Sequence, residues 1–217
     1  MANLTCLPSI DGCAMRVARL AADGTTPAGA TNGYVTNKFM RVNFDPQYEE
    51  GETFRSRTAC GELAVNARDR EVLSGVNVEL EIAYPDAELY ELLTGGTLLT
   101  TGGDSTGYAI PQLGTVANPN GVSLEVWSRR RNADGSVPAT GPYYRWVLPR
   151  LYFRIGARPI QRGPMTHAFV GYAEENAQWG NGPNNDWLAG TLRALQWDID
   201  SAIPANACGY WTVPAQV

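Results

Sequence analysis

Between Gly75 and Ala83 the chain alternates strictly: Val76, Val78, Leu80 and Ile82 are apolar, whereas Asn77, Glu79 and Glu81 are polar or charged. Side chains of an extended strand point to opposite faces with a period of two, so this segment predicts a strand with one face in a core and the other in water. The same period recurs from Phe39 to Phe44, where Met40, Val42 and Phe44 alternate with Arg41 and Asn43. Thr53 to Thr58 and Glu62 to Arg68 read as a hairpin joined at Ala59-Cys60-Gly61, with Leu63, Val65 and Ala67 on one face and Asn66 and Arg68 on the other. Further strands are predicted over Val122 to Arg129, Tyr143 to Ile155, Thr166 to Ala173 and Leu192 to Ile199. Within Tyr143 to Ile155 the apolar parity changes at Pro149, which predicts a bulge and places Arg145, Arg150, Tyr152 and Arg154 on one face.

One helix stands out, over about residues 86–94. Asp86 is a natural N-cap, Glu88 lies in the first turn, Leu89, Leu92 and Leu93 make one apolar face, and Gly95-Gly96 supplies the stop. Two turns are too short to be stable alone, so this helix must dock on the sheet. Asp45 to Glu52, residues 97–121 and Asn176 to Trp187 read as loops, the last a polar one. The sum is a mainly β, β-sandwich or barrel-like fold with one short flanking helix. At roughly 150 residues per domain, 217 residues make about one and a half domains. The excess lies in poorly periodic segments, so a single domain over 1–217 is expected, with extended loops and arm-like termini.

The formal net charge is -5, and Lys38 is the only lysine. Such a balance argues against a general nucleic-acid binder, which needs a basic excess to displace counterions from phosphates. The charge lies in blocks: 14 acids against 8 bases in residues 1–91, 8 arginines against one acid in 129–162, and 5 acids against one arginine in 163–217. Opposed charged surfaces of this kind suit self-association. No apolar run reaches the roughly 20 residues that span a bilayer, and the N-terminus lacks a basic and then apolar leader, so a soluble, unexported protein is expected. Cys6, Cys13, Cys60 and Cys208 form no C-x-x-C pair, and His167 is the only histidine. The expectation is therefore four free, mostly buried thiols, with no metal and no cofactor.

Three patterns bear on chemistry. Gly103-Asp104-Ser105-Thr106-Gly107 fits G-x-S-x-G, with Asp134 and His167 following in order, but the motif needs a helix directly after the serine and none is predicted there. Glu79 with Glu81, and Asp198 with Asp200, put paired carboxylates on one strand face, as glycosidases or calcium sites do and as any solvated strand does. Trp179, Trp187, Trp197 and Trp211 crowd the C-terminal part, as carbohydrate-stacking platforms, cores and interfaces all do. No catalytic residue is assigned, and the chain is not expected to be an enzyme.

The order of the segments carries a resemblance. Phe44-Asp45-Pro46-Gln47-Tyr48-Glu49-Glu50-Gly51-Glu52-Thr53-Phe54, then Gly61 to Val65, Val76 to Leu80 and Pro85 to Gly96, followed by Val126 to Arg130, Gly141 to Pro149 and Glu174 to Gly180, resembles the major tail proteins of long-tailed, non-contractile bacteriophages. The likeness covers roughly Gly12 to Gly180 and rests on order rather than on any reactive residue. It implies a virion protein assembled in the host cytoplasm, whose hexameric rings stack head-to-tail into a tail tube that conducts DNA without specific binding. The implied partners are other copies of the chain, the tape measure protein and tail-end proteins, with no membrane. By this analogy Asp45, Tyr48, Glu49, Glu50, Glu52, Arg150 and Arg154 are candidates for ring stacking, and Glu62, Asn66, Glu79 and Glu81 for lining the lumen. A carbohydrate-binding β-sandwich and a ring-forming distal tail or tail-terminator protein are the alternatives.

Overall fold

The computed structural model describes residues 7–157, 160, 162, 165–187, 193–205 and 208–215. The fold is mainly β and barrel-like. Its main sheet is antiparallel and contains β1 (Ser9–Arg19), β2 (Gly29–Thr36), β3 (Phe39–Glu49), β6 (Val72–Ile82), β9 (Val122–Arg130), β10 (Tyr143–Ile155), β11 (His167–Glu174), β12 (Gln196–Asp200) and β13 (Cys208–Val213). Two hairpins stand outside it, β4 (Thr53–Arg57) with β5 (Leu63–Arg68) and β7 (Thr97–Thr101) with β8 (Asp104–Ala109). The order across the sheet is β13-β2-β1-β9-β10-β11-β6-β3, and β12 pairs with the first half of β10. The sheet curls until its β3 end reaches β1, where a Cβ on Gly12 would lie 2.6 Å from the Phe39 ring.

Alternation explains the core. Val76, Val78, Leu80 and Ile82 are buried on the inner face with Val17, Leu124, Leu148, Leu151, Phe153 and Phe169. The predicted bulge is present: the pairing of β10 with β9 shifts register between Leu148 and Leu151, which keeps both leucines inward. The helix α1 (Ala87–Thr94) closes this core with Leu89, Tyr90, Leu92 and Leu93. Asp86 caps it by accepting from the Glu88 and Leu89 amides, and Gly95 ends it in the left-handed region at φ 68°.

Several expectations need correction. The predicted loop Asp45 to Glu52 is strand as far as Glu49, because β6 offers a ladder that runs to Val72 despite Pro46. Pro46 is tolerated since β3 is an edge strand of the sheet. Residues 97–121 hold the β7–β8 hairpin, whose Thr- and Gly-rich strands lack periodicity because little of it is buried. Near the chain ends, β1 is an interior strand of the sheet and β13 pairs with β2, while residues 1–6 and 216–217, where arm-like termini are expected, lie outside the described residues. The strand predicted from Leu192 to Ile199 is β12 over Gln196–Asp200, and Leu192 itself lies outside the described residues. Cys60 and Cys208 are exposed and Cys13 is half-buried, all three free, in place of mostly buried thiols; Cys6 is not among the described residues.

Candidate functional site: an outer face and a projecting arm

The outer face of the curled sheet has two halves. On β3, β6, β11 and the end of β10 it is uncovered, and the strand register sets out its rows. Asn43, Glu79, Val170 and Arg154 make one transverse row, Asp45, Asn77, Tyr172 and Tyr152 a second, and Arg41, Glu81 and Ala168 a third. Arg41 reaches both lumen candidates, with Nη2 3.0 Å from Glu81 Oε1 and 3.4 Å from Glu79 Oε2. These three rows carry three carboxylates against two guanidinium groups, and exposed Glu174 continues the same face of β11.

The candidate residues group differently from the way the sequence divided them. Asp45 and Arg154, assigned to stacking, share this face with Glu79 and Glu81, assigned to the lumen. Among the described residues Glu62 and Asn66 do not sit on a neighbour of β6: β5 pairs with β4, with Glu62 in the connecting turn and Asn66 opposite Arg55. Arg150 is half-buried, its guanidinium beside Gly24 and Asn176, so it shares no open surface with Arg154.

Beyond Glu49 and Val72 the β3–β6 ribbon continues as β4–β5, an arm over residues 52–69 that stands clear of the body. The Asp69 amide donates to the Glu52 carbonyl at 2.9 Å and joins the two ladders. Gly51 sits at the joint, where a Cβ would lie 2.1 Å from the Asp69 carbonyl oxygen. Every residue of β4 and β5 is exposed. Phe54 lies opposite Ala67 and Ser56 opposite Val65, so Phe54, Leu63, Val65 and Ala67 line one face and Arg55, Asn66 and Arg68 the other. The parity read from the sequence is right, but no core covers it: Phe54, Leu63 and Val65 remain 49%, 52% and 49% exposed. Tyr48, Glu49, Glu50 and Glu52 lie at the root of the arm, where Tyr48, Leu73, Tyr172, Ala194 and Leu195 border a groove of about 540 Å³.

The other half of the outer face, on β1, β9 and the start of β10, is covered. Residues 176–187 cross it, and beneath them lie Arg16, Glu125 and Arg145, which are 4%, 1% and 3% exposed. Arg16 Nε meets Glu125 at 2.5 Å, and its guanidinium stacks on Trp127 and Trp211. Arg145 forms two hydrogen bonds to Asp198, at 3.0 and 2.7 Å, stacks on Trp187, and lies 3.6 Å from Asp200. Asp186 lies between them, 3.5 Å from Arg16 Nη2 and 2.9 Å from Arg145 Nη1. Burial opposes the charge of Asp186, but Arg16, an Asn184 hydrogen bond and Arg145 outweigh it and hold its carboxyl below the usual carboxylate range. Burial likewise opposes the charge on Arg145, and its carboxylate neighbours raise its affinity for the proton.

The paired carboxylates Asp198 and Asp200 therefore serve a buried arginine, and Asp200 also accepts from Trp127 Nε1 at 2.9 Å. The polar loop is a packed cover, with Trp179 buried against Val147 and Trp187. Its Asn, Gly and Asp composition conceals this because its anchors, Asn176 and Asp186, are polar. The tryptophans are dispersed: Trp179 is in that small core, Trp211 lies over Arg16, and Trp197 packs on Tyr144 and Trp146 with 47% exposure. Ser105 lies on β8, after a turn at Gly102-Gly103, and donates to Glu88 at 3.0 Å. The chain there runs strand, turn, strand, so the helix that a nucleophile elbow requires is replaced by β8. His167 opens β11 and packs edge-on to Tyr90. Among the described residues no cluster of His, Cys, Asp and Glu could hold a metal, and no helix is long and apolar enough to cross a membrane. No family model matches the chain, and no curated protein matches it.

Proposed function

We propose that the chain is a self-assembling structural subunit, a tail-tube protein whose rings stack into the tube of a long-tailed phage and conduct DNA, built in the host cytoplasm and carried in the virion. The observation that supports this reading is the arm. A two-stranded hairpin is marginal in water by itself, and one whose apolar face is open is an aggregation hazard unless a partner covers it. Another copy of the chain is the occupant that fits a tube: an arm on one copy and its seat on the next make a heterologous contact, which propagates rather than closing on itself.

In this reading ring stacking belongs to the arm and its root, with Tyr48, Glu49, Glu50 and Glu52. The uncovered outer half, with Glu79, Glu81, Asp45 and Arg154, is the bore surface. Its charges of both signs and lack of a basic excess leave passing phosphates without a sustained hold. The tape measure and tail-end proteins are the further partners.

Phe54→Ser combined with Val65→Ser tests the arm. Sedimentation velocity should show wild-type protein forming species far larger than a monomer, and the double variant remaining monomeric with an unchanged circular dichroism spectrum. Assembly by the variant at wild-type level would refute the role of the arm. Rings that never lengthen would favour the distal-tail or terminator alternative.

A further inference from the structure

The segment over residues 176–187 has the construction of a separable part. No strand of the main sheet runs through it. Its apolar contacts form a small core of Val147, Trp179 and Trp187, distinct from the main one. Its turns close on themselves: the Gly182 amide donates to Trp179, Asn185 to Gly182 and Trp187 to Asn181. It is fastened at two ends. At one, Asn176 donates to the Gly24 and Pro149 carbonyls at 2.9 and 3.1 Å. At the other, Asp186 enters the ionic cluster and Asn185 donates to the Ala215 carbonyl at 2.9 Å.

We propose that residues 176–187 are a strap that lifts from the outer face as one unit while the barrel stays folded, with Asp186 as its latch. The groups facing Asp186 are Arg16 on β1, Glu125 on β9, Arg145 on β10, and Asp198 and Asp200 on β12. Removing one partner of a buried ion pair is ordinarily prohibitive because it orphans the other charge. Here it orphans neither arginine. When Asp186 leaves, Arg16 keeps Glu125 and Arg145 keeps Asp198. Opening costs the latch, the small core and the Asn176 and Asn185 hydrogen bonds, but it leaves no unpaired guanidinium behind, which favours local over global opening.

Lifting the strap would uncover Val147 and Arg145, extending the open half of the outer face along β10. It would also free the segment after β13 from Asn185. The strap is thus a gate on the width of a surface, a property independent of what that surface binds and of the tube reading.

Native-state hydrogen exchange on the intact chain tests this. The Gly182, Asn185 and Trp187 amides should share one opening equilibrium. Their protection should be at least about tenfold below that of Leu124 and Val126 on β9, and insensitive to low urea. Asp186→Asn should lower strap protection about tenfold further, with β9 still at least about tenfold better protected than the strap and its chemical shifts in place. Strap amides that exchange in step with β9, or three strap amides that open independently of one another, would overturn the proposal. The wild-type comparison decides the matter even where the variant does not fold.

Discussion

Glu79 and Arg154 lie in one row of the outer face, two strands apart, with Val170 between them: Glu79 is opposite Val170 on β11, and Val170 is opposite Arg154 on β10. Charges of both signs therefore share the uncovered half, and Arg41 adds a second cation beside Glu79 and Glu81. A surface of one sign, which charge blocks along the chain suggest, is not what the register assembles on this face.

Arg41→Ala should leave the fold almost untouched. Both ion pairs are more than half exposed on the arginine side, and exposed pairs contribute at most about 1 kcal/mol. The urea midpoint should stay close to wild type, while electrophoretic mobility reports the lost charge. A large drop in midpoint would mean that Arg41 holds β3 to β6.

Asp86→Ala should be costly for a single cap. Its carboxylate accepts from the Glu88 and Leu89 amides at 3.2 Å and from the Tyr34 hydroxyl, where burial and Asp86 together raise the phenol well above its ordinary value. Loss of an N-cap costs about 1 kcal/mol and up to about 2, which in a chain of this size lowers the melting temperature by roughly 2–8 °C. Asp86→Asn, which keeps an acceptor, should lose less in the same calorimetric comparison.

Stability should depend on Asp186 with a definite sign. Its pKa is depressed in the folded chain, so it contributes stability above the unfolded carboxyl value, about 4. That contribution disappears as pH falls through the lower folded value. The urea midpoint of wild type should exceed that of Asp186→Asn near pH 7, and the gap should narrow below about pH 4. A gap that persists unchanged into acid would point to packing rather than charge.

Gly51→Ala should uncouple the arm from the body. A Cβ there meets the Asp69 backbone carbonyl, which cannot swing aside as a side chain can. Backbone amide signals of residues 53–68 should lose strand character while those of the main sheet stay in place. Retention of both would show that the joint relaxes at no cost.

The strands that lie half in the core were legible because burial on one side writes itself as alternation. β6 from Val76 to Ile82 and the bulge at Pro149 are the clearest cases. The helix ends were legible from Asp86 and Gly95, whose side chain and backbone freedom have local consequences. Interior β1 was not, because its outer face packs under the strap and Trp127, and its Ala, Met, Arg and Val mixture shows no polar alternation. β13 was obscured by its Gly, Tyr, Trp and Thr composition at a chain end. The arm's apolar parity could be read, but whether a core covers it depends on where β4 and β5 stand, and local sequence does not encode that. The buried cluster escaped for a related reason: Arg145 is far in sequence from Asp186 and Asp198, and each looks like ordinary surface charge.

The central claim is that this chain assembles with copies of itself, and negative-stain electron microscopy of the purified protein over a range of concentrations tests it most directly. Rings or tubes of uniform bore are the predicted result. A field of separate monomers at every concentration, with no regular oligomer, would contradict it.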